Sequence, residues 1–356
     1  MPEPGADALV LALDAQKAGA GRTVAGLTVL GRLLKQLTHL GRKRIVVASD
    51  GTCPLPAGVT VREVPTPAAL DALRDELGRP PEYSADVVHP RNSDLGIAHR
   101  VVDEDSRRLA EDAIFAELKR GDLGLVARYL NKPISFWITR HLLCGTRLTP
   151  NQVTLGAAAV GLVGVALVAG GGYAGILAGF FLLHVQSVLD GCDGELARVR
   201  YQQSPIGAWL DTVVDDGLNF TLFVGLAIGV GGGYPAGPWR LLGLASAAGM
   251  LFYTVVAYRE LRRQAEGGEV LNIRWWFNKG KNMKERFDRW GVGELGMKDV
   301  LHAAGRRDFF LAACVVLAAF GLHRAILLYA AALAATSAVG AAGQLLLVRP
   351  GVKQQP

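Results

Sequence analysis

Asp190-Gly191-Cys192-Asp193-Gly194-Glu195-Leu196-Ala197-Arg198 is followed, after a short loop, by Gly207-Ala208-Trp209-Leu210-Asp211-Thr212-Val213-Val214-Asp215. The first stretch ends an apolar run through Leu182 and Leu183, and the second opens another. A helical period puts positions 190, 193, 194 and 197 on one face, and it puts Asp211 and Asp215 together on the next helix. Because the loop is short, the two helices are expected to be antiparallel neighbours with their aspartates opposed. An ionised aspartate in mid-membrane costs about 2.5–3.5 kcal/mol on insertion scales, and several close together also repel. Such a group is tolerable where cations neutralise it and water reaches it. Carboxylates alone suit a hard divalent ion such as Mg2+. Gly191, Gly194, Ala197 and Gly207 leave bare backbone beside the acids for a flat or phosphorylated ligand, and Arg198 offers a phosphate partner.

The surrounding chain reads as membrane. Half of the 356 residues are hydrophobic (50%), and the long apolar runs fall after Thr149. Six spans are expected, at about 152–170, 173–197, 207–231, 238–260, 308–322 and 325–347, each about long enough for a ~30 Å hydrocarbon core, although the fifth is short and the second and third carry charge. Lys and Arg set the orientation. The connections near 171 and 232 carry no charge, whereas the 198–206 loop holds Arg198 and Arg200 and the segment Arg259–Arg307 holds a dozen basic residues. The positive-inside rule therefore places both termini, the long basic segment and the aspartates at the cytoplasmic face of an inner membrane. Ahead of the spans, Leu125–Leu143 is amphipathic, with Arg128, Lys132, Arg140 and His141 beside Phe136 and Trp137, and reads as a helix lying on the headgroups.

The N-terminal part has a different texture. Short apolar runs at 8–13 and 44–49 flank Leu27, Leu30, Leu34, Leu37 and Leu40, spaced as one face of a helix. Further strands are expected at Val59–Val64 and Ala85–Val88, with a helix at Ala68–Leu77. This alternation predicts a parallel α/β sheet of Rossmann-like type fused to an all-α six-helix transmembrane domain. The expected limits are residues 1–115 for the α/β domain, 116–149 for a linker and interfacial helix, and 150–350 for the membrane domain. Residues 1–7 lack the positive region of a secretory signal, so this domain is expected to stay in the cytoplasm. Cys53, Cys144, Cys192 and Cys314 form no paired spacing, so neither a disulfide framework nor a zinc site is expected.

The spacing Asp190-xx-Asp193-Gly194-xx-Ala197-Arg198-(x)8-Gly207-xxx-Asp211-xxx-Asp215 resembles, at every fixed position, the signature of the CDP-alcohol phosphotransferase family. The resemblance covers about residues 120–350 and implies six membrane helices, a homodimer and a polar cavity facing the cytoplasm. It implies that Asp190, Asp193, Asp211 and Asp215 surround two divalent ions, Mg2+ or Mn2+, and that Asp215 is the general base. Gly194, Ala197, Arg198 and Gly207 match positions that accommodate the cytidine diphosphate of the donor. Asn151 and Thr154, at the entry to the first span, match positions that frame that nucleotide, with a helix-capping role the alternative for Asn151 beside Thr149. The implied reaction moves a phospho-alcohol from a CDP-alcohol, CDP-diacylglycerol or CDP-inositol, to the hydroxyl of a phosphorylated polyol, releasing CMP. An ion or solute transporter using the aspartates as a cation pathway is the alternative from another class.

Arg128, Arg140, Arg262 and Arg263 are candidates for binding a phosphorylated acceptor. Asp216, where many relatives carry a base, is expected to face solvent, and His184 is expected to be a hydrogen-bonded packing residue. The run Arg274-Trp275-Trp276-Phe277 to Arg289-Trp290 mixes aromatic and basic residues. Beside membrane helices it reads as a headgroup anchor, with no nucleic-acid partner expected. The N-terminal run Val24-Ala25-Gly26 to Arg44-Ile45-Val46-Val47 distantly resembles a nucleotidyltransferase, as in two-domain proteins that make CDP-inositol and then join it to inositol phosphate. The match to a triphosphate loop, with Asp14, Lys17 and Arg22, is weak, so a degenerate or regulatory relative is expected.

Overall fold

The computed structural model describes residues 8–12, 20–40, 42, 45–49, 60–64, 66–77, 79–89, 98–118, 125–230, 237–264, 275 and 305–347. Asp14, Lys17, Cys53 and the Arg274–Trp290 run other than Trp275 lie outside the described residues. The chain groups into two compact units. One comprises Met1–Gly121, Phe136–Arg147 and Glu195–Gln202; the other comprises Asp122–Ser135, Leu148–Gly194 and Gln203–Pro356.

In the first unit, β1 (Ala8–Ala12), β4 (Ile45–Ser49), β5 (Thr60–Glu63) and β6 (Glu82–Ser84) form a parallel sheet in the order β5-β4-β1-β6. β1 is apolar throughout because both its faces are covered. Val10 and its even-numbered neighbours meet Leu30, Leu33, Leu34 and Leu37 of α1 (Val29–His39). Leu9 faces the other way, toward Leu70 and Leu73 of α2 (Pro67–Glu76). Thr28 caps α1 by accepting from Gly31 N at 3.1 Å, and Thr66 caps α2 ahead of Pro67. The expected α/β sheet is present, with one shift. Its fourth strand is Glu82–Ser84, and β7 (Val87–Val88) instead pairs antiparallel with β8 (His99–Arg100). Buried Asp86 sits between the two segments and accepts from Arg100 Nε at 2.6 Å, which holds the chain on its new course. Two short strands, β2 (Thr23–Val24) and β3 (Leu27–Thr28), make a hairpin through Ala25 and Gly26, and α3 (Glu104–Leu118) completes the fold.

The last turn of α6 (Gly172–Arg200) belongs to this first unit and ends in a tight left-handed cap. Tyr201 has φ of 53°, Gln202 N donates to Ala197 O at 2.8 Å, and Tyr201 N lies 3.4 Å from Arg198 O, the pattern of a Schellman motif. A tyrosine in this region is strained, and its ring is held by the Arg32 guanidinium at 5.8 Å. Arg32 is fully buried, and burial pushes its pKa down from the ordinary value. Arg200, counted above among loop charges, donates instead to the carbonyls of Leu143, Cys144 and Thr146 at 2.9, 3.2 and 2.7 Å.

The segment before the spans is helical, as its periodicity predicts, but wound unevenly. α4 (Lys132–Ile138) is flanked by wider π-helical turns at Ala127–Asn131 and Thr139–Leu143. Tyr129, Leu130, Ile134, Trp137 and Leu142 stand exposed along it, which suits a helix resting in the headgroup region.

The second unit is a helical bundle of α5 (Pro150–Gly170), most of α6, α7 (Pro205–Gly229), α8 (Pro238–Gln264), α9 (Arg307–Ala319) and α10 (His323–Leu347). Five of these helices are long and apolar enough to cross a membrane, so the protein is a multi-pass membrane protein. The expected span at 308–322 is the exception. Its helix, α9, has 13 residues, and at 1.5 Å per residue reaches about 20 Å, short of a ~30 Å core. The inner faces share a core of Val165, Phe180, Leu183, Leu222, Phe223 and Phe310. Leu155, Leu162, Phe181, Leu241 and Val255 point outward and are exposed, as residues facing lipid acyl chains should be. Glycine lets the backbones touch. A Cβ on Gly179 would lie 2.6 Å from Gly164 O, and one on Gly229 would lie 1.8 Å from Val168 O.

Candidate active site

Thr149 and Ser204 begin the two helices that frame the acids. Thr149 and Gln152 form a capping box at the start of α5, with Gln152 N to Thr149 Oγ1 at 3.3 Å and Thr149 N to Gln152 Oε1 at 2.9 Å. Ser204 accepts from Gly207 N at 3.0 Å, and Pro205 sets the first turn of α7. These caps fix the helical phase, so that Asp211 and Asp215 of α7 turn toward Asp190 of α6. One oxygen from each of Asp190, Asp211 and Asp215 lies within 4.8 Å of the others, the spacing a shared cation requires. The expected opposition of the two aspartate faces is therefore present.

Each acid has a distinct set of neighbours. Asp190 Oδ1 accepts from Gln186 Nε2 at 3.4 Å, one turn back on α6. Asp211 Oδ1 is buried and has no hydrogen-bond partner among the described residues. Asp215 forms an ion pair with Arg307, the first residue of α9. Asp193 is the most buried of the four and does not join the group of three. It accepts from the Thr154 hydroxyl of α5 and from Gly194 N. An unpartnered buried carboxylate oxygen beside two further carboxylates is a strong unmet demand for positive charge, and oxygen-only donors match a hard divalent ion.

The other expected residues divide into several groups. Gly207 and Asn151 come together: a Cβ on Gly207 would lie 3.0 Å from Ser204 Oγ and 3.2 Å from Asn151 Oδ1, a close approach that a larger residue would tighten. Thr154 serves Asp193 and also donates to Pro150 O at 3.2 Å. Gly194 contributes its backbone N–H to Asp193, while Ala197 and Arg198 lie half-buried on the last turns of α6. Among the expected acceptor-binding arginines, Arg140 is engaged by Asp112 at 2.6 Å and Glu111 at 3.4 Å, and Arg263 by Glu260 at 3.1 Å. Arg128 is half-buried and Arg262 exposed. Asp216 differs from its expected solvent-facing position, because it is half-buried and hydrogen-bonded to Tyr258 of α8. His184 also differs: neither ring nitrogen has a hydrogen-bond partner among the described residues.

Two participants escape the motif. Arg307 Nη2 donates to Gln186 Oε1 at 2.7 Å, so these residues link Asp215 to Asp190 through side chains. Gln186 was legible, four residues before Asp190 and on its face. Arg307 was not, since nothing local separates it from the other bases of its segment.

Residues 147–285 match the family model described as CDP-alcohol phosphatidyltransferase. Over that segment the chain resembles this enzyme family. A relative from Rubrobacter xylanophilus, described as bifunctional IPC transferase and DIPP synthase, is 40% identical over 135 residues, covering 36% of this chain and 30% of the relative. A relative of the same description from Aquifex aeolicus is 31% identical over 156 residues, covering 44% of this chain and 35% of its own length. The chain thus spans about a third of the length of the curated relatives it matches. The family depends on a divalent metal, and Asp190, Asp211 and Asp215 present the donors for one.

Proposed function

We propose that this protein transfers a phospho-alcohol from a CDP-alcohol donor to the hydroxyl of a phosphorylated polyol, releasing CMP. The observation that carries the reading is the convergence of Asp190, Asp211 and Asp215 from two membrane helices, within the family's motif. Asp190, Asp211 and Asp215 would hold divalent ions, Mg2+ or Mn2+, with Asp193 set behind them by Thr154. Such ions supply positive charge to the pyrophosphate and to the CMP that leaves. Asp215 takes the proton of the acceptor hydroxyl as that oxygen bonds to the β-phosphorus. The bond from the β-phosphorus to the oxygen it shares with the α-phosphate breaks, and that oxygen departs with CMP.

Gly194, Ala197, Arg198, Gly207 and Asn151 are assigned to the cytidine diphosphate. Phosphoinositol synthesis is the preferred branch, because the relatives are described as bifunctional IPC transferase and DIPP synthase. The N-terminal α/β unit is assigned as a degenerate or regulatory relative of nucleotidyltransferases. The protein would act as a homodimer in the inner membrane with the site open to the cytoplasm.

Product chemistry tests the reading. Purified protein is given Mg2+, a panel of phosphorylated polyols, and either CDP-inositol or CDP-diacylglycerol. A water-soluble phosphodiester with CMP supports the preferred branch, and a lipid-soluble product supports the other donor. No CMP from either donor would refute the assignment.

A further inference from the structure

Arg307 carries a permanent positive charge into the group of carboxylates that the proposed function gives to a divalent ion. It stands at the start of α9, where Asp308, the next residue, accepts from Ala127 N at 2.9 Å and fixes the helix end. From there the guanidinium reaches Asp215 with one nitrogen and Gln186 Oε1 with another at 2.7 Å. Gln186 in turn donates to Asp190. Arg307 is thus tied to both helices that supply the acids. Its hold is incomplete, because Nε is buried without a hydrogen-bond partner among the described residues.

A divalent ion among Asp190, Asp211 and Asp215 would draw on the same carboxylate that Arg307 already neutralises. Two cations sharing one carboxylate repel each other, and the repulsion is weakly screened where the groups are partly buried. Asp211 Oδ1, by contrast, has no hydrogen-bond partner among the described residues, so Asp215 takes the more direct share of the compensating charge. We infer that Arg307 is an internal counterion that competes with the divalent ion for Asp215, so that ion uptake releases Arg307 and Arg307 limits ion affinity. In this role Arg307 keeps the acid group neutral enough to fold and insert before metal arrives, and it sets the ion concentration at which the site loads. By linkage, whatever draws Arg307 away from Asp215 tightens the ion, and the reverse. The inference rests on the carboxylates being a cation site.

Mn2+ binding to the full-length protein in detergent, measured by the loss of the free-ion EPR signal without any nucleotide, tests it. Arg307→Gln is expected to bind Mn2+ roughly tenfold more tightly than wild type, the direction set by removing a like charge. Arg307→Lys, which cannot span Asp215 and Gln186 in the same fork, is expected to fall between them and serves alone if Arg307→Gln does not fold. The gain is expected to vanish when Arg307→Gln is combined with Asp215→Asn. Unchanged or weaker Mn2+ binding in the arginine variants, with Asp211→Asn still abolishing binding, overturns the inference and leaves the cation site standing. If Asp211→Asn binds Mn2+ like wild type, the cation site itself falls, and the inference with it.

Discussion

Thr154 of α5 donates its hydroxyl to Asp193 of α6, and this buried bond claims an oxygen of the motif's second aspartate, which stands outside the group of Asp190, Asp211 and Asp215. Asp193 is 7% exposed and Thr154 is 4% exposed, so the pair has little water to fall back on. Replacing Thr154 by valine keeps the shape and removes the donor. Losing one partner of a buried acceptor costs about 1–3 kcal/mol. Thr154→Val is therefore expected to lower the thermal midpoint in detergent and to reduce turnover, while Thr154→Ser retains most of both. Equal midpoints for Val and wild type would remove Thr154 from this role.

Asp215→Asn is expected to leave nucleotide binding largely intact and to stop turnover. A positioned general base contributes typically ~10²–10⁴-fold, and that is the loss expected in CMP release. Divalent-ion affinity is expected to change little, because the variant gives up a carboxylate and the anchor of Arg307 together. Steady-state rates beside Mn2+ titration check both halves. Normal turnover would take the base role away from Asp215.

Helix contact in the bundle depends on bare backbone at Gly229. A methyl there would meet Val168 O at 1.8 Å, and a carbonyl cannot step aside as a flexible side chain does. Gly229→Ala is expected to destabilise the protein by about 1–3 kcal/mol, the usual range for overpacking. Gly217→Ala is the control, since nothing lies within 4 Å of its would-be Cβ. A thermal midpoint for each variant in the same detergent makes the comparison.

The α4 segment should lie in the headgroup layer. Trp137 is 56% exposed and Tyr129 is 72% exposed, so both side chains project from the helix. A nitroxide attached at Trp137→Cys in liposomes is expected to report an interfacial depth, between that of a label at Leu155→Cys in the acyl region and one in bulk water. A freely hydrated label at position 137 would contradict the assignment.

Much of this architecture was readable because two periodicities do not overlap. The leucines from Leu30 to Leu37 repeat as a helix face, and Ala8–Ala12 and Ile45–Ser49 are continuous apolar runs, as strands covered on both faces must be. The acids were readable for a stronger reason: charge inside an apolar run is costly, so its spacing carries information. What escaped depended on contacts between distant segments. Arg307 looks like any base in a basic stretch, and only the placement of α9 brings it to Asp215. Asp193 shares its face with Asp190, yet a hydroxyl from another helix claims it. The span expected at 308–322 stops at Ala319 because Gly321, at φ of 71°, turns the chain into α10.

CMP release by the purified protein, compared between wild type and Asp211→Asn, tests the shared carboxylate site most directly. The account predicts that release from a CDP-alcohol needs Mg2+ or Mn2+, ceases in EDTA, and falls at least about a hundredfold when Asp211 loses its charge. Release that persists in EDTA, or an Asp211→Asn variant with the wild-type rate and the wild-type ion requirement, would contradict it.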